Sequence, residues 1–160
     1  MKRKLLTLAI PILLITGVGC SAKDKPVDPK VSIEQNKKED YKMNLAYLMK
    51  DVSEQSKVMN DVLTSKKPVE EKKQEFESVS KELLTISDKV KKLEPGKKYK
   101  DVQETMNVAM GLLEESLKSI GDGLELKDRS LMTKGNETVV KASKKIVEAH
   151  DMLKDMGESN

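Results

Sequence analysis

The sequence predicts an all-α fold, an up-down-up-down antiparallel four-helix bundle that follows a leader and a polar tether. Three observations lead there. Apolar residues recur at spacings of three and four in four separate stretches, which places them on one face of a helix. Breakers separate the stretches: Pro68, Pro95-Gly96, and the run from Gly121 to Asp128. No six-residue stretch alternates with period two, so no sheet is expected.

The first element is the leader. Met1-Lys2-Arg3-Lys4 is basic, Leu5 to Val18 is apolar, and Gly19-Cys20 closes the run. A short positive segment, an apolar core and small residues before a cut site make a secretory signal peptide. The apolar run falls short of the roughly 20 residues that a membrane-spanning helix needs. Thr16-Gly17-Val18-Gly19-Cys20 resembles the lipobox of bacterial lipoproteins, although Gly17 stands where that pattern usually has Leu. The resemblance covers only the leader. It implies cleavage after Gly19 and a diacylglycerol on the Cys20 thiol, with palmitate-type acyl chains holding the protein at the extracytoplasmic face of the cell membrane. Two acyl chains suffice for stable anchoring where one is marginal.

Residues 20–38 hold Pro26, Pro29 and several lysines, and read as a lipidated, disordered tether. The bundle is expected over 39–157, with 158–160 as a tail. Helix one, 39–65, carries Tyr41, Leu45, Leu48, Val52, Met59 and Val62, with Gln55 as a polar interruption. Helix two, 68–93, carries Phe76, Val79, Leu83, Ile86, Val90 and Leu93. Pro68 and the acids Glu70 and Glu71 suit its positive start. Helix three, 98–126, carries Val102, Met106, Ala109, Leu113, Leu117, Ile120 and Leu124. Helix four, 129–157, has Asp128 as N-cap and carries Val139, Ala142, Ile146, Ala149, Leu153 and Met156. Gly121-Asp122-Gly123 is a candidate end of helix three, and Gly135-Asn136 a candidate kink or later start in helix four. Short connections make neighbours antiparallel. Two loosely docked hairpins and a dimeric coiled coil are the competing architectures.

Composition excludes several functions. Lys2, Arg3 and Lys4 carry the whole net charge of +3, so the chain beyond them is neutral. Three Tyr, one Phe and no Trp leave no stacking platform, so no nucleic-acid partner is expected. The single Cys excludes an internal disulfide framework and a cysteine zinc site. The single His, His150, excludes a di-iron site built on two Glu-x-x-His motifs. Glu70-Glu71, Glu114-Glu115 and Glu148/Asp151/Asp155 lie among lysines, as ordinary solvated helix pairs do. No enzyme activity and no cofactor beyond the acyl anchor are expected.

Two features remain. Nine methionines include Met106 and Met110 early in helix three and Met152 and Met156 late in helix four. An up-down bundle brings those ends together, near His150. Soft thioether and imidazole ligands suit Cu(I), while methionine is also a flexible core filler. Lys89, Lys91, Lys92, Lys97, Lys98 and Lys100 cluster at the tether-side end and fit either a solvated turn or an anionic surface.

The expected function is that of an anchored, non-enzymatic interaction or scaffold module at the cell surface. Its partners would be the membrane, through the lipid, and a surface protein or wall polymer. The alternative is a lipoprotein that binds a small ligand or Cu(I). Leu84, Val108, Leu112, Leu126, Val140 and Val147 lie beside the core positions as candidates for an exposed apolar stripe. Composition resembles that of small helical lipoproteins of Gram-positive bacteria.

Overall fold

A computed structural model describes the backbone of residues 29–157 and the side chains of residues 41–157. Four helices make the chain an all-α four-helix bundle: α1 (Pro29–Thr64), α2 (Val69–Lys91), α3 (Lys100–Glu125) and α4 (Arg129–Asp155). No strand occurs among the described residues. Gly19, Cys20 and the tail at 158–160 lie outside the described residues.

The predicted stripes form the core. Tyr41, Leu45, Val52 and Met59 of α1, Phe76, Leu83 and Val90 of α2, and Val102, Met106, Leu117 and Ile120 of α3 are buried together with Ala142, Ile146 and Ala149 of α4. Each large apolar side chain buried this way contributes about 1.5–3 kcal/mol. Gln55 of α1 is half-buried, where the stripe was expected to break.

One boundary departs from the sequence reading. α1 begins at Pro29, ten residues before the expected start, so residues 29–38 are helical rather than disordered tether. Proline fits a first turn because its missing N–H has no intrahelical partner there. Glu34 and Lys38 are spaced as a favourable helical pair. The twelve residues before Tyr41 add about 18 Å to the helix. The boundary between the third and fourth helices agrees with the expected 98–126 and 129–157: α3 runs through Gly121 and Gly123, and α4 starts at Arg129 and runs through Gly135.

The glycines explain how α3 meets α4. Ala109, Ser116 and Gly123 on α3 and Gly135, Ala142 and Ala149 on α4 recur every seven residues, and all are buried. A Cβ on Gly135 would lie 2.5 Å from Ile120 Cγ1 and 3.0 Å from the Ser116 carbonyl oxygen. One on Gly123 would lie 2.6 Å from Met132 Cγ. Small side chains thus let the two backbones approach more closely than large ones would. α1 and α4, by contrast, bring no Cα atoms within 8 Å of each other among the described residues. Polar, half-buried residues stand on those two helices, and the Oδ1 atoms of Asn60 and Asn136 are buried without a hydrogen-bond partner.

The turn between α3 and α4 is compact. The Asp128 amide donates to the Gly123 carbonyl at 2.8 Å and the Lys127 amide to that of Leu124 at 3.4 Å. This pairing closes a helix C-terminus with one residue in the left-handed region. That residue is Lys127, at φ 54°. Asp128 then caps α4, its carboxylate accepting from the Ser130 amide at 2.7 Å.

Candidate functional site

The most elaborate polar arrangement lies at the end of the bundle from which α1 leads back toward the leader. Tyr41 of α1 stacks on Tyr99, the residue before α3, with ring centroids 5.1 Å apart and planes 20° apart. The Tyr41 hydroxyl donates to Gln103 Oε1 at 2.9 Å. Gln103 Nε2 donates to the Val90 carbonyl at 2.8 Å and to Asn107 Oδ1 at 2.9 Å. This network ties α1, the end of α2 and the start of α3 together. Burial first, and Tyr99 beside it second, push the Tyr41 phenol well above its ordinary pKa. Through its stacking and its hydrogen bond, Tyr41 clamps α1 onto the α2–α3 turn. The sequence reading put Tyr41 in the core but gave Tyr99 and Gln103 no role. The sign available was an aromatic just after Pro95-Gly96 with a glutamine one turn later.

The methionines sit in and against the core. Met106 and Met110 are fully buried, and Met152 and Met156 are half-buried at its edge. The Thr105 hydroxyl donates to Met152 Sδ at 3.6 Å. His150 is exposed. It stands about 160° around α4 from Met152 and about 120° from Met156. The bundle therefore gathers the four methionines at one end and leaves the imidazole on another face of α4. Among the described residues no group of three His, Cys, Asp or Glu is placed to hold a metal ion.

The acidic and basic clusters are used in packing. Glu114 accepts from Ser87 Oγ at 2.7 Å and from Lys91 Nζ at 2.6 Å, joining α3 to α2. Partial burial raises its pKa, but the Lys91 and Ser87 hydrogen bonds and the Lys91 charge outweigh that and hold it below the usual carboxylate value. Lys73 pairs with Glu125, and Lys67 with Glu75. At the tether-side turn Lys98 Nζ lies 5.5 Å from the centre of the Tyr99 ring, and Lys89, Lys92, Lys97 and Lys100 are exposed. An open depression of about 350 Å³ lies between α1 and α2, lined by Gln55 and Ile86 and by charged residues such as Asp51, Glu82 and Lys89.

The apolar candidates do not form one stripe. Leu84, Val108, Leu126, Val140 and Val147 are exposed and Leu112 is half-buried, but they are spread over three helices and a turn. Tyr47, 63 % exposed on α1, and Met43 beside it were not anticipated. No described helix is long and apolar enough to cross a membrane.

Fold and surface thus define a small all-α bundle in which a few side-chain hydrogen bonds and ion pairs join neighbouring helices. The chain belongs to a family defined by a domain of unknown function, DUF7018, whose model matches residues 32–150. The matched region takes in the bundle through His150 and part of the α1 extension. No curated protein and no solved structure matches the chain.

Proposed function

We propose that the chain is a lipoprotein, anchored through a diacylglycerol on Cys20 to the extracytoplasmic face of the cell membrane, where its bundle acts as a non-enzymatic interaction or scaffold module. The leader carries this reading: a basic start, a short apolar run and Gly19 ahead of the only cysteine in the chain. Two acyl chains at that position give stable membrane attachment. The long α1 supports a spacer role, since residues 29–40 carry the bundle about 18 Å beyond the tether. The acidic clusters are spread along the helix surfaces, with Glu70, Glu114 and Glu148 in ion pairs, and are not gathered around a cleft, which favours binding over catalysis. The methionines near Met106 and Met152 read as core filling.

Growth of the source cells with labelled palmitate tests the anchor. Label should enter the wild-type chain and be absent from Cys20→Ser, which should be released or left unprocessed. A cleaved Cys20→Ser protein that stays in the membrane as the wild type does would overturn the reading. In-cell cross-linking of the lipidated protein, read by mass spectrometry, tests the scaffold role.

A further inference from the structure

The small residues that bring α3 and α4 together also fix which residues share the outer face of that pair. On α3 the residues that follow them, Met110, Leu117 and Leu124, are buried in the core. The residues that precede them therefore turn about 100° the other way, to the outside. They are Val108, Glu115 and Asp122 on α3. The equivalent residues on α4 are Lys134, Lys141 and Glu148. All six are exposed. Because the helices are antiparallel, the preceding position falls on the same outer side of both.

Charge is sorted over most of this face although the chain beyond the leader is neutral; the exception is Glu148, which pairs with Lys145 on its own helix. α3 holds six acids against two lysines. α4 from Arg129 to Val147 holds five basic residues against the single acid Glu137. α2 takes up Glu114 and Glu125 through Lys91 and Lys73. Among the described residues no ion pair engages Glu115, Asp122, Lys134 or Lys141. Heights along the bundle follow from the close contacts: Gly135 is level with Ser116 and Ile120, and Gly123 with Met132. By these contacts Asp122 and Lys134 differ in height by about one to three residues, roughly 1.5–4.5 Å, and Glu115 and Lys141 by the same, a gap within reach of a lysine side chain.

We propose that this outer α3–α4 face docks a second copy of the same chain. A two-fold axis parallel to the helices lays α3 of one copy over α4 of the other and leaves every height unchanged. Asp122 then faces Lys134 of the second copy, Glu115 faces its Lys141, and both pairings occur twice. Val108 and the half-buried Leu112 add apolar surface on α3. Turning the second copy end over end sets α3 on α3 and α4 on α4, so like charges meet; the charges select the parallel arrangement. Two helices of this length side by side present roughly 700 Å² per copy, close to the ~800 Å² per partner of a stable interface. The parallel axis also sends both α1 extensions out of the same end, as two anchors in one membrane require. The proposal deepens the interaction-module reading by naming a partner.

The full lipidated chain is prepared in unlabelled and ¹⁵N-labelled forms, mixed in lipid vesicles, cross-linked and read by mass spectrometry. Mixed light–heavy links should join Lys118 of one copy to Lys145 of another, two lysines that neither variant below removes. Glu115→Lys with Asp122→Lys should cut mixed links about tenfold or more, since reversed charge repels across an interface. Lys134→Glu with Lys141→Glu should do the same. Mixing the two variants should restore the links, because each then supplies what the other lacks. Absence of mixed links in the wild type, unchanged links in either variant, or no restoration on mixing would overturn the proposal. The palmitate experiment reads the anchor separately, so a lipidated chain without mixed links defeats the dimer alone.

Discussion

Gly135→Ala and Gly111→Ala make the same chemical change in helix interiors and should act in opposite directions. Alanine is the better helix former by about 1 kcal/mol. Gly111 is exposed on α3, and a Cβ there would meet nothing within 4 Å. Gly111→Ala should therefore stabilise the bundle by about 0.5–1 kcal/mol. At Gly135 the new carbon would lie 2.5 Å from Ile120 Cγ1, 3.0 Å from the Ser116 oxygen and 3.1 Å from the Ile120 nitrogen. Comfortable carbon contacts are about 3.5–4.0 Å. Two of the three neighbours are backbone, and the third is the stiff, β-branched Ile120. Relief requires α4 to move off α3 by several tenths of an ångström, which also loosens the packing of Ala142 and Ala149. Overpacking of this kind costs about 1–3 kcal/mol, so the net effect is a loss of about 1–2 kcal/mol. Urea unfolding followed by circular dichroism measures both variants. At about 2–4 °C per kcal/mol, Gly135→Ala should melt lower than wild type and Gly111→Ala higher. Stabilisation of both by similar amounts would refute the close α3–α4 approach.

Three further predictions address the turn and the polar clusters. Lys127→Gly should stabilise by about 1 kcal/mol, since glycine adopts the left-handed conformation without the clash that Lys127 bears at φ 54°; a lower urea midpoint would mean that the exposed pair with Glu70 outweighs the backbone. Tyr41→Phe leaves Gln103 Oε1 without its buried donor and should cost about 1–3 kcal/mol. Because the folded-state pKa of Tyr41 is raised, the folded state keeps its proton where the unfolded state loses it; stability should fall as pH rises above about 10, and that slope should be weaker in Tyr41→Phe. Glu114 has the reverse sign: its pKa is lowered on folding, so its contribution is present above about 4.5 and lost as pH falls through the depressed value. Glu114→Gln should flatten the acid limb of a urea-midpoint profile, and an unchanged limb would show that the Lys91–Glu114–Ser87 cluster does not couple to folding.

The sequence made the architecture legible because three of the four helices bury large apolar side chains at regular spacing. Phe76, Leu83 and Val90 could hardly be read as anything but one face of a helix. The α3–α4 contact was less legible for a physical reason. Gly121, Gly123 and Gly135 are poor helix formers by intrinsic propensity, and a local reading treats them as ends or kinks. Here close backbone approach across the helix pair overrides propensity. The seven-residue recurrence of Ala, Ser and Gly was the available sign, and it is visible only when smallness is followed along the chain as a property in its own right. The early start of α1 was hidden differently, because residues 29–40 have no apolar stripe and only their charge spacing favours a helix. Of the candidate site, the proximity of Met106, Met110, Met152 and Met156 at one end followed from topology. His150 lies between the core positions Ala149 and Leu153, and that spacing already gives it a place on the surface.

Counting charge over the whole chain obscures what the helix assignment reveals. Neutrality beyond the leader is the sequence's argument against a nucleic-acid partner. Once the helices are placed, the same residues divide into an acidic α3 and a basic first two-thirds of α4. The rows that face outward are fixed by the small residues that face inward. Exposed ion pairs contribute little to stability, about 0–1 kcal/mol each, so stability alone gives little reason for sorting the charges in this way. Across an interface the same charges set orientation and exclude wrong arrangements. The similar heights of Asp122 and Lys134, and of Glu115 and Lys141, lie within reach of a lysine side chain and suit a parallel pair of bundles, and they are unfavourable for an antiparallel one.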